Sequence, residues 1–279
     1  MKKLRFSLIL ILILTMTLSM ILTGCGGEKQ QAQQNEQTGD GSLQRVKDAG
    51  KLVAGLDDAF PPMGYRNDKN ELVGFDIDFG NELAKRLGVE MEWQPTDWNG
   101  VILSLQSKKF DIILSGMSIT EERKQAVNFS TPYIATDQVV VVKSSNDEIK
   151  TVEDLKGKII GTQLGSTGEK SAKTIPDLDE KNLKLYSAYT EAFTDLAIGR
   201  LDAMVVDELT ARHYMTQKPG EFKVTDISLS YEPMGIAVRK EDKELLDAIN
   251  QAIDDMRADG TLGKISEKWF GEDITKDVK

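Results

Sequence analysis

Few side chains in this sequence could perform the usual kinds of catalytic chemistry. The chain of 279 residues holds one histidine, His213, and one cysteine, Cys25. The single histidine argues against a histidine-based triad and a histidine-rich metal site. The sequence also has no nucleotide-binding glycine loop and no nucleophile elbow. We therefore expect no enzymatic activity, no metal and no organic cofactor, and we expect His213 to be a surface or packing residue.

Two short polar stretches could instead bind a charged ligand. The segment 165–168 (Gly-Ser-Thr-Gly) precedes a predicted helix. There, backbone amides can seat an anion, or Ser166 or Thr167 can cap the helix. Asp207 follows the apolar strand 203–206, where a carboxylate is costly unless a cation or a helix start accompanies it. From these residues alone, the segment 165–168 and Asp207 could each have either a structural role or a binding role.

The N-terminus has the pattern of an export signal. Three cations within the first five residues precede a charge-free apolar run over 6–22. The run is nearly long enough to span a bilayer, so an uncleaved membrane anchor is the alternative. The tetrad 22–25 (Leu-Thr-Gly-Cys) resembles the bacterial lipobox. This implies a lipoprotein signal peptide over 1–24, cleavage before Cys25, and lipid attachment (diacylglyceryl, palmitate) at that thiol.

The segment that follows the predicted signal is polar. Residues 25–42 are rich in Gly and Gln and have almost no apolar residue, a composition that predicts a flexible tether. The formal net charge of the chain is −10, and loss of the three positive charges of the signal leaves −13. Because the phosphate backbone of a nucleic acid repels a protein with this negative charge, we expect no nucleic-acid partner.

The rest of the chain alternates apolar strands with amphipathic helices, which predicts two α/β units in series with parallel sheets covered by helices. The last helix is expected to close the chain and to turn Leu246, Ile249, Ile253 and Met256 inward. The predicted elements are strand 52–56, helix 76–87, helix 101–108, strand 111–114, the valine run 139–142, helix 152–155, strand 158–162, a helix after Gly168, strand 183–186, helix 191–198, strand 203–206, and helix 243–257 with Gly260 as its cap.

Several segments together carry a family resemblance. Residues 115–123 and 128–133 are Ser-Gly-Met-Ser-Ile-Thr-Glu-Glu-Arg and Asn-Phe-Ser-Thr-Pro-Tyr. With 73–78, 154–158 and 268–270, they resemble signature segments of the polar amino acid-binding proteins of ABC transporters. That family includes the histidine-, glutamine-, arginine- and lysine-arginine-ornithine-binding proteins. The resemblance covers nearly all of the chain after the tether, and its motifs agree in order and spacing.

The resemblance implies an α/β fold, the two-lobed type II periplasmic-binding-protein fold with two crossing hinge strands. The crossings are expected near 136–140 and 230–235. Lobe 1 would then comprise 43–135 and 233–279, and lobe 2 would comprise 139–230. The implied function is capture of a free amino acid between the lobes and delivery to the membrane permease of an ABC importer and its ATPase.

The resemblance also implies roles for individual residues. Arg123 matches the arginine that grips the ligand α-carboxylate, for which its planar fork is suited, and Ser118 matches a hydroxyl that supports this carboxylate. Ser166 and Thr167 match the pair that completes the carboxylate seat from lobe 2. Gly116 matches a backbone carbonyl that accepts from the ligand α-ammonium. Asp207 matches the carboxylate that pairs with this ammonium.

The side-chain pocket is implied in the same way. Asp57 and Phe60 match positions that meet the ligand side chain, and Trp98 matches an aromatic residue that stacks on it. An aspartate beside two aromatic rings suits an ammonium or guanidinium group, so we expect a basic amino acid (arginine, lysine or histidine). Glutamine and cystine are the alternatives. Gly64 departs from the acidic residue that some arginine binders carry at this position.

An alternative of a different class shares the same fold. Exported cyclohexadienyl dehydratases act on prephenate-like dicarboxylates through an acidic residue in the cleft. Because Asp57 and Asp207 would repel a dicarboxylate, they favour binding over catalysis. We expect a monomer on the extracytoplasmic side, lipid-anchored to the outer face of the cytoplasmic membrane, or periplasmic if an outer membrane exists.

Overall fold

A computed structural model describes residues 39–276 and 278 of the protein. The predicted signal peptide, Cys25 and most of the predicted tether lie outside the described residues. Within the described part, none of the helices is long and apolar enough to cross a membrane.

The described residues form helices and short strands in alternation. The helices are α1 Ser42–Ala49, α2 Phe75–Leu87, α3 Val101–Gln106, α4 Glu121–Ala126, α5 Thr167–Ala172, α6 Tyr189–Ala197, α7 Glu208–Gln217, α8 Lys243–Ala258 and α9 Thr261–Phe270. The strands are β1 Lys51–Leu56, β2 Ala59–Phe60, β3 Gly64–Arg66, β4 Leu72–Val73, β5 Glu90–Pro95, β6 Ile112–Ile113, β7 Asn128–Phe129, β8 Ile134–Lys143, β9 Ile160–Gln163, β10 Leu183–Tyr186, β11 Ala203–Asp207, β12 Phe222–Met234 and β13 Ala237–Val238.

Two five-stranded sheets organise these elements into two lobes. The first sheet has the order β5-β1-β6-β13-β7, and the second has the order β10-β9-β11-β8-β12. We define the first lobe and the second lobe by these sheets and the helices on them. A small antiparallel sheet of β2, β3 and β4 lies beyond β1 and was not predicted.

Both large sheets are mixed, so the prediction of parallel sheets is wrong in part. In the first sheet β5, β1 and β6 are parallel, but β13 is antiparallel to β6 and β7. In the second sheet β10, β9 and β11 are parallel, but β8 is antiparallel to β11 and β12. The antiparallel members are the strands that leave or re-enter a lobe at the crossings.

The strands β8 and β12 are the two crossing strands. They pair from Ile134 with Met234 to Lys143 with Phe222 and belong to the second sheet, whereas β13 starts three residues after β12 in the first sheet. All four valines 139–142 are buried. Because alternate side chains of a strand point to opposite faces, Val139 and Val141 join one apolar cluster and Val140 and Val142 join another.

The two ends of the described chain differ from the predictions. Helix α1 was not predicted, and the tether's last residues already bind the body, because Asp40 Oδ2 accepts hydrogen bonds from the amides of Lys243 and Glu244. Helix α8 does not close the chain, since α9 follows it. The predicted cap Gly260 is confirmed, since it follows the C-cap residue Asp259 in the left-handed conformation with φ 77° and its amide donates to the backbone oxygen of Arg257 at 3.2 Å; it also precedes α9.

One inward residue of α8 was also predicted wrongly. Leu245 is fully buried with Ile249, Ile253 and Met256, whereas Leu246 is only half-buried at the edge of the apolar face. Elsewhere the predicted segment 152–155 forms a 3-10 helix, and α3 ends two residues before its predicted end.

Candidate functional site

A cavity lies between the two lobes. All nine residues predicted to bind a ligand line it, together with three residues that the sequence did not single out. The lining residues are Asp57, Phe60, Trp98, Ser115, Gly116, Ser118, Arg123, Gln163, Ser166, Thr167, Tyr189 and Asp207.

The first lobe contributes residues that follow its parallel strands. Asp57 comes directly after β1, and Gly116 and Ser118 lie in the loop after β6. Neighbouring parallel strands place their carboxyl ends at one edge of a sheet, so these residues converge there. Gly116 has φ 53°, and its amide donates a 2.7 Å hydrogen bond to Oδ2 of the buried Asp76.

Arg123 is directed at the cavity rather than at its helical neighbours. Its Nη1 donates to the backbone oxygen of Ser118 at 3.0 Å, and its Cζ lies 5.3 Å from the centre of the Trp98 ring. Glu121 and Glu122, the partners of a purely structural role, are ion-paired with Lys124 and Lys170 instead. Within the described residues Arg123 forms no ion pair, so its charge is left to an anion in the cavity.

The second lobe faces this arginine with hydroxyl groups at the start of α5. Ser166 accepts from the amide of Glu169 at 3.1 Å and donates to the backbone oxygen of Gln163 at 2.7 Å. The predicted capping role of Ser166 is therefore confirmed. Thr167 Oγ1 is buried and lies 3.3 Å from Ser118 Oγ, so hydroxyl groups of both lobes meet across the cavity.

Asp207 ends β11 and precedes α7, but its side chain does not cap that helix. Its Oδ1 accepts a hydrogen bond from Nε2 of Gln138 at 2.9 Å. Burial and the nearby charge of Glu232 raise the pKa of Asp207 to about 8, against the lowering effect of Arg123. A cation beside Asp207 would favour its ionised form.

The far end of the cavity combines a carboxylate with aromatic rings. Oδ1 of Asp57 accepts from the amide of Ala59 at 2.9 Å, and Oδ2 accepts from Nε2 of Gln163 at 2.6 Å. Burial raises the pKa of Asp57. The rings of Phe60 and Tyr189 lie 5.8 Å apart, each from a different lobe.

Several contacts close the cleft around this cavity. Trp98 Nε1 donates to the backbone oxygen of Gly165 at 3.2 Å, and Asp57 with Gln163 makes a second bond between the lobes. His213 packs edge-on against Tyr65 at 5.3 Å, which confirms its predicted packing role. The structure is therefore that of a closed cleft.

Sequence reasoning missed polar residues of the site and its surroundings. Ser115, Gln163 and Tyr189 line the cavity, and Gln138 and Glu232 lie buried behind it on the crossing strands. The only available signal was a polar residue beside a valine run at Gln138 and an acidic residue in a predicted crossing at Glu232. In the described part of the chain, no group of three or more histidine, cysteine or acidic side chains could hold a metal ion.

Comparison with known proteins places this geometry in a family. Residues 52–272 match the model of the bacterial extracellular solute-binding proteins, family 3. The chain belongs to this family. The described fold is the two-lobed type II periplasmic-binding-protein fold.

Individual relatives of this family 3 protein resemble it over most of their lengths. The L-cystine-binding protein TcyJ of Escherichia coli K12 is 40% identical over 238 residues, which cover 85% of this chain and 89% of the relative. An ancestral arginine-binding protein bound to arginine is 47% identical with a TM-score of 0.75, covering 80% and 99% of the two chains. A histidine-bound ABC uptake transporter binding protein of Streptococcus pneumoniae is 32% identical with a TM-score of 0.81, covering 86% and 100%.

Proposed function

We propose that this family 3 protein captures a free amino acid for an ABC importer. The observation that carries the proposal is the placement of Arg123 and Asp207 on opposite lobes around one cavity, with no ion-pair partner for either among the described residues. A zwitterion satisfies both, since its carboxylate pairs with the guanidinium and its ammonium pairs with the aspartate. Both contacts form together only when the cleft is shut, so capture and closure are coupled.

The charge balance of the cavity favours a basic amino acid. Its lining holds one cation, Arg123, and two carboxylates, Asp57 and Asp207. After the α-carboxylate and α-ammonium are paired, Asp57 remains for the side chain, beside Phe60 and Trp98. Arginine, lysine or histidine supplies the matching cation, and the ring faces add a cation-π contribution. Glutamine and cystine are the alternatives, because Asp57 can accept from a carboxamide or from a second ammonium.

A dehydratase is the second candidate, and one observation favours it. With a pKa of about 8, Asp207 is protonated at neutral pH in the ligand-free protein and has a proton to give. We place binding first, because Asp57 adds a second acidic group that a dicarboxylate would have to approach.

We further propose that the lobes divide at 43–135 with 233–279 and at 139–230, and that the monomeric protein is tethered to the membrane by lipid at Cys25. Cys25→Ala should abolish incorporation of a radiolabelled fatty acid and leave amino acid affinity unchanged, since the proposed ligand-binding residues do not include Cys25. Label that persists in the variant would contradict lipid attachment at this residue.

A ligand screen tests the proposed function. The melting temperature of the purified protein is measured with each common amino acid, with cystine and with prephenate at one fixed concentration, since at a given concentration a ligand that binds the folded protein more tightly raises it more. We expect the largest increase with arginine, lysine or histidine, unchanged after dialysis against a chelator. No increase with any amino acid would contradict the transport function, and consumption of prephenate would support the dehydratase.

A further inference from the structure

Glu232 is a buried carboxylate without a contacting cation in the described chain. It lies on β12, is 7% exposed, and forms no ion pair there. Four neutral donors bond it instead. Ser118 Oγ, Thr167 Oγ1 and Gln138 Nε2 donate to Oε2 at 2.6, 2.6 and 3.2 Å, and Ser230 Oγ donates to Oε1 at 2.9 Å. Burying a carboxylate charge that only neutral donors contact costs free energy of folding. This cost indicates a functional role for Glu232.

The partners of Glu232 come from both lobes. Ser118 lies in the loop of the first lobe, Thr167 starts α5 of the second lobe, and Gln138 lies on the crossing strand β8. All three reach the same oxygen atom, Oε2. Ser118 and Thr167 also line the cavity, whereas Glu232 does not. Glu232 is therefore connected to the ligand site through the two hydroxyl groups.

Counting protons fixes which way these hydroxyl groups point. A hydroxyl has one proton to donate and two lone pairs that accept, and an ionised carboxylate only accepts. At 2.6 Å from Oε2, both hydroxyls direct their protons at Glu232. Lone pairs alone remain for a ligand, and one of those on Thr167 Oγ1 already accepts from Nε2 of Gln138 at 3.3 Å. A carboxylate in the cavity gains nothing from them, whereas an ammonium group can donate to both.

We infer that Glu232 is a positioning residue that makes the Ser118 and Thr167 hydroxyls hydrogen-bond acceptors for a ligand ammonium group next to Asp207. This inference rests on the proposed function and assigns Glu232 a role at that same site. It differs from the role that family resemblance gave these hydroxyls, which was to support the ligand carboxylate. The carboxylate would then depend on Arg123 and on backbone amides.

The surroundings of Asp207 agree with an ammonium seat. The charged and titratable groups that act on it are Glu232 from β12, Arg123 from α4 and Tyr189 from α6. Two carboxylates thus face one guanidinium. A ligand ammonium there favours ionisation of Asp207 beside Glu232 and completes the hydrogen bonds of both hydroxyls.

The test compares the wild type with Glu232→Gln, which keeps the shape and one accepting oxygen but removes the charge. Ligands are L-arginine and L-glutamine, each paired with its deamino form, 5-guanidinopentanoate or glutaramate, in titration calorimetry. Affinity for the amino acids should fall about ten- to hundredfold, the effect of losing a charged hydrogen-bond partner. Affinity for the deamino forms, which lack the ammonium, should fall less than threefold.

Two further measurements separate positioning from a loss of structure. Removing a buried charge relieves desolvation, so the ligand-free melting temperature of Glu232→Gln should not fall. The pH below which amino acid affinity is lost should move down, because the charge that opposes ionisation of Asp207 is gone. The matched control Glu92→Gln removes an exposed carboxylate paired with Lys51 and should change neither affinity nor this pH.

The outcomes distinguish this inference from the proposed function. If the wild type binds none of the amino acids in the ligand screen, the proposed function fails. If the wild type binds and Glu232→Gln loses amino acid and deamino ligand equally, or keeps native affinity for both, the positioning role is wrong. An unchanged pH dependence in the variant would also overturn it.

Discussion

At the scale of single residues, the proposed ligand site rests on Arg123 and Asp207, which have no ion-pair partner among the described residues. Arg123→Ala or Asp207→Ala removes one partner of a desolvated charge pair and leaves the ligand group unmatched. Such truncations cost about 2 to 5 kcal/mol, so amino acid affinity should fall roughly thirty-fold to a few thousand-fold. Titration calorimetry measures this loss. The ligand-free protein should melt at an unchanged or higher temperature, and near-native affinity in Arg123→Ala would contradict the carboxylate assignment.

We propose that a second residue, Asp57, sets the choice among amino acids. Asp57→Asn keeps a polar side chain that can accept from Ala59 but loses the negative charge at the far end of the cavity. Affinity for arginine and lysine should fall about tenfold or more, while affinity for glutamine should change little, since a neutral carboxamide needs no counter-charge. The ratio of the dissociation constants for arginine and glutamine reports the effect. Equal losses for both ligands would rule out a basic side-chain pocket at Asp57.

At the scale of elements, the loop after β6 is held in an unusual conformation that shapes the site. Gly116 has φ 53°, and a Cβ atom there would lie 2.7 Å from the Phe60 ring. Gly116→Ala should therefore both strain the backbone and displace Phe60. The strain costs about 1 kcal/mol of unfolding free energy, and we expect an additional loss of about tenfold in amino acid affinity, measured by calorimetry and thermal unfolding.

Gly88→Ala is the matched control for this loop. Gly88 ends α2 with φ 77°, but no heavy atom lies within 4 Å of a Cβ at that position. It shares the left-handed strain without the clash and lies away from the cavity. Stability should fall by a similar amount with no change in affinity. If both variants lose affinity alike, the effect is one of general destabilisation.

The secondary-structure elements and the residues that line the cavity were predicted from the sequence on different grounds. Strand β1, helix α2 and the valine run followed from apolar periodicity, because that pattern is local. The nine lining residues followed only from family resemblance. Gln138 could not be found by either route, since its partners Asp207 and Glu232 are 69 and 94 residues away along the chain. Its burial depends on strand pairing that no local pattern contains.

The same reason explains what was missed at Glu232 and at the chain ends. A glutamate in a strand usually marks a solvent-facing position, whereas this one is buried among partners from both lobes and the crossing strands. Helix α1 is short and polar enough to resemble the tether before it, and its bonds run to α8, some 200 residues later. Contacts between distant segments, rather than local propensity, decide these features.

At the scale of the whole molecule, two buried carboxylates make the stability of the protein depend on pH. Burial raises the pKa of Asp76 to about 7, and burial with Glu232 raises that of Asp207 to about 8. Raised carboxyl pKa values mean that the folded, ligand-free protein binds more protons than the unfolded chain between about pH 4 and pH 8. The stability that these two groups contribute to the ligand-free protein is therefore lost as pH rises through this range.

Ligand binding should reverse the preference for the protonated form at one of the two carboxyl groups, Asp207. At pH 7 the ligand-free protein holds Asp207 mostly protonated, whereas an ammonium in contact with it favours the ionised form, so binding must release a proton. We expect close to one proton per glutamine bound at pH 7, and more with arginine if Asp57 also ionises beside a cation. Binding enthalpies measured in phosphate and in Tris differ by the number of protons released times the difference in buffer ionisation enthalpy.

Affinity should also rise from pH 5 to pH 8, by up to tenfold per pH unit below the pKa of Asp207. Asp207→Asn, studied at higher ligand concentration, should release about one proton fewer than the wild type, and equal binding enthalpies in the two buffers for the wild type would contradict an ammonium seat at a protonated Asp207.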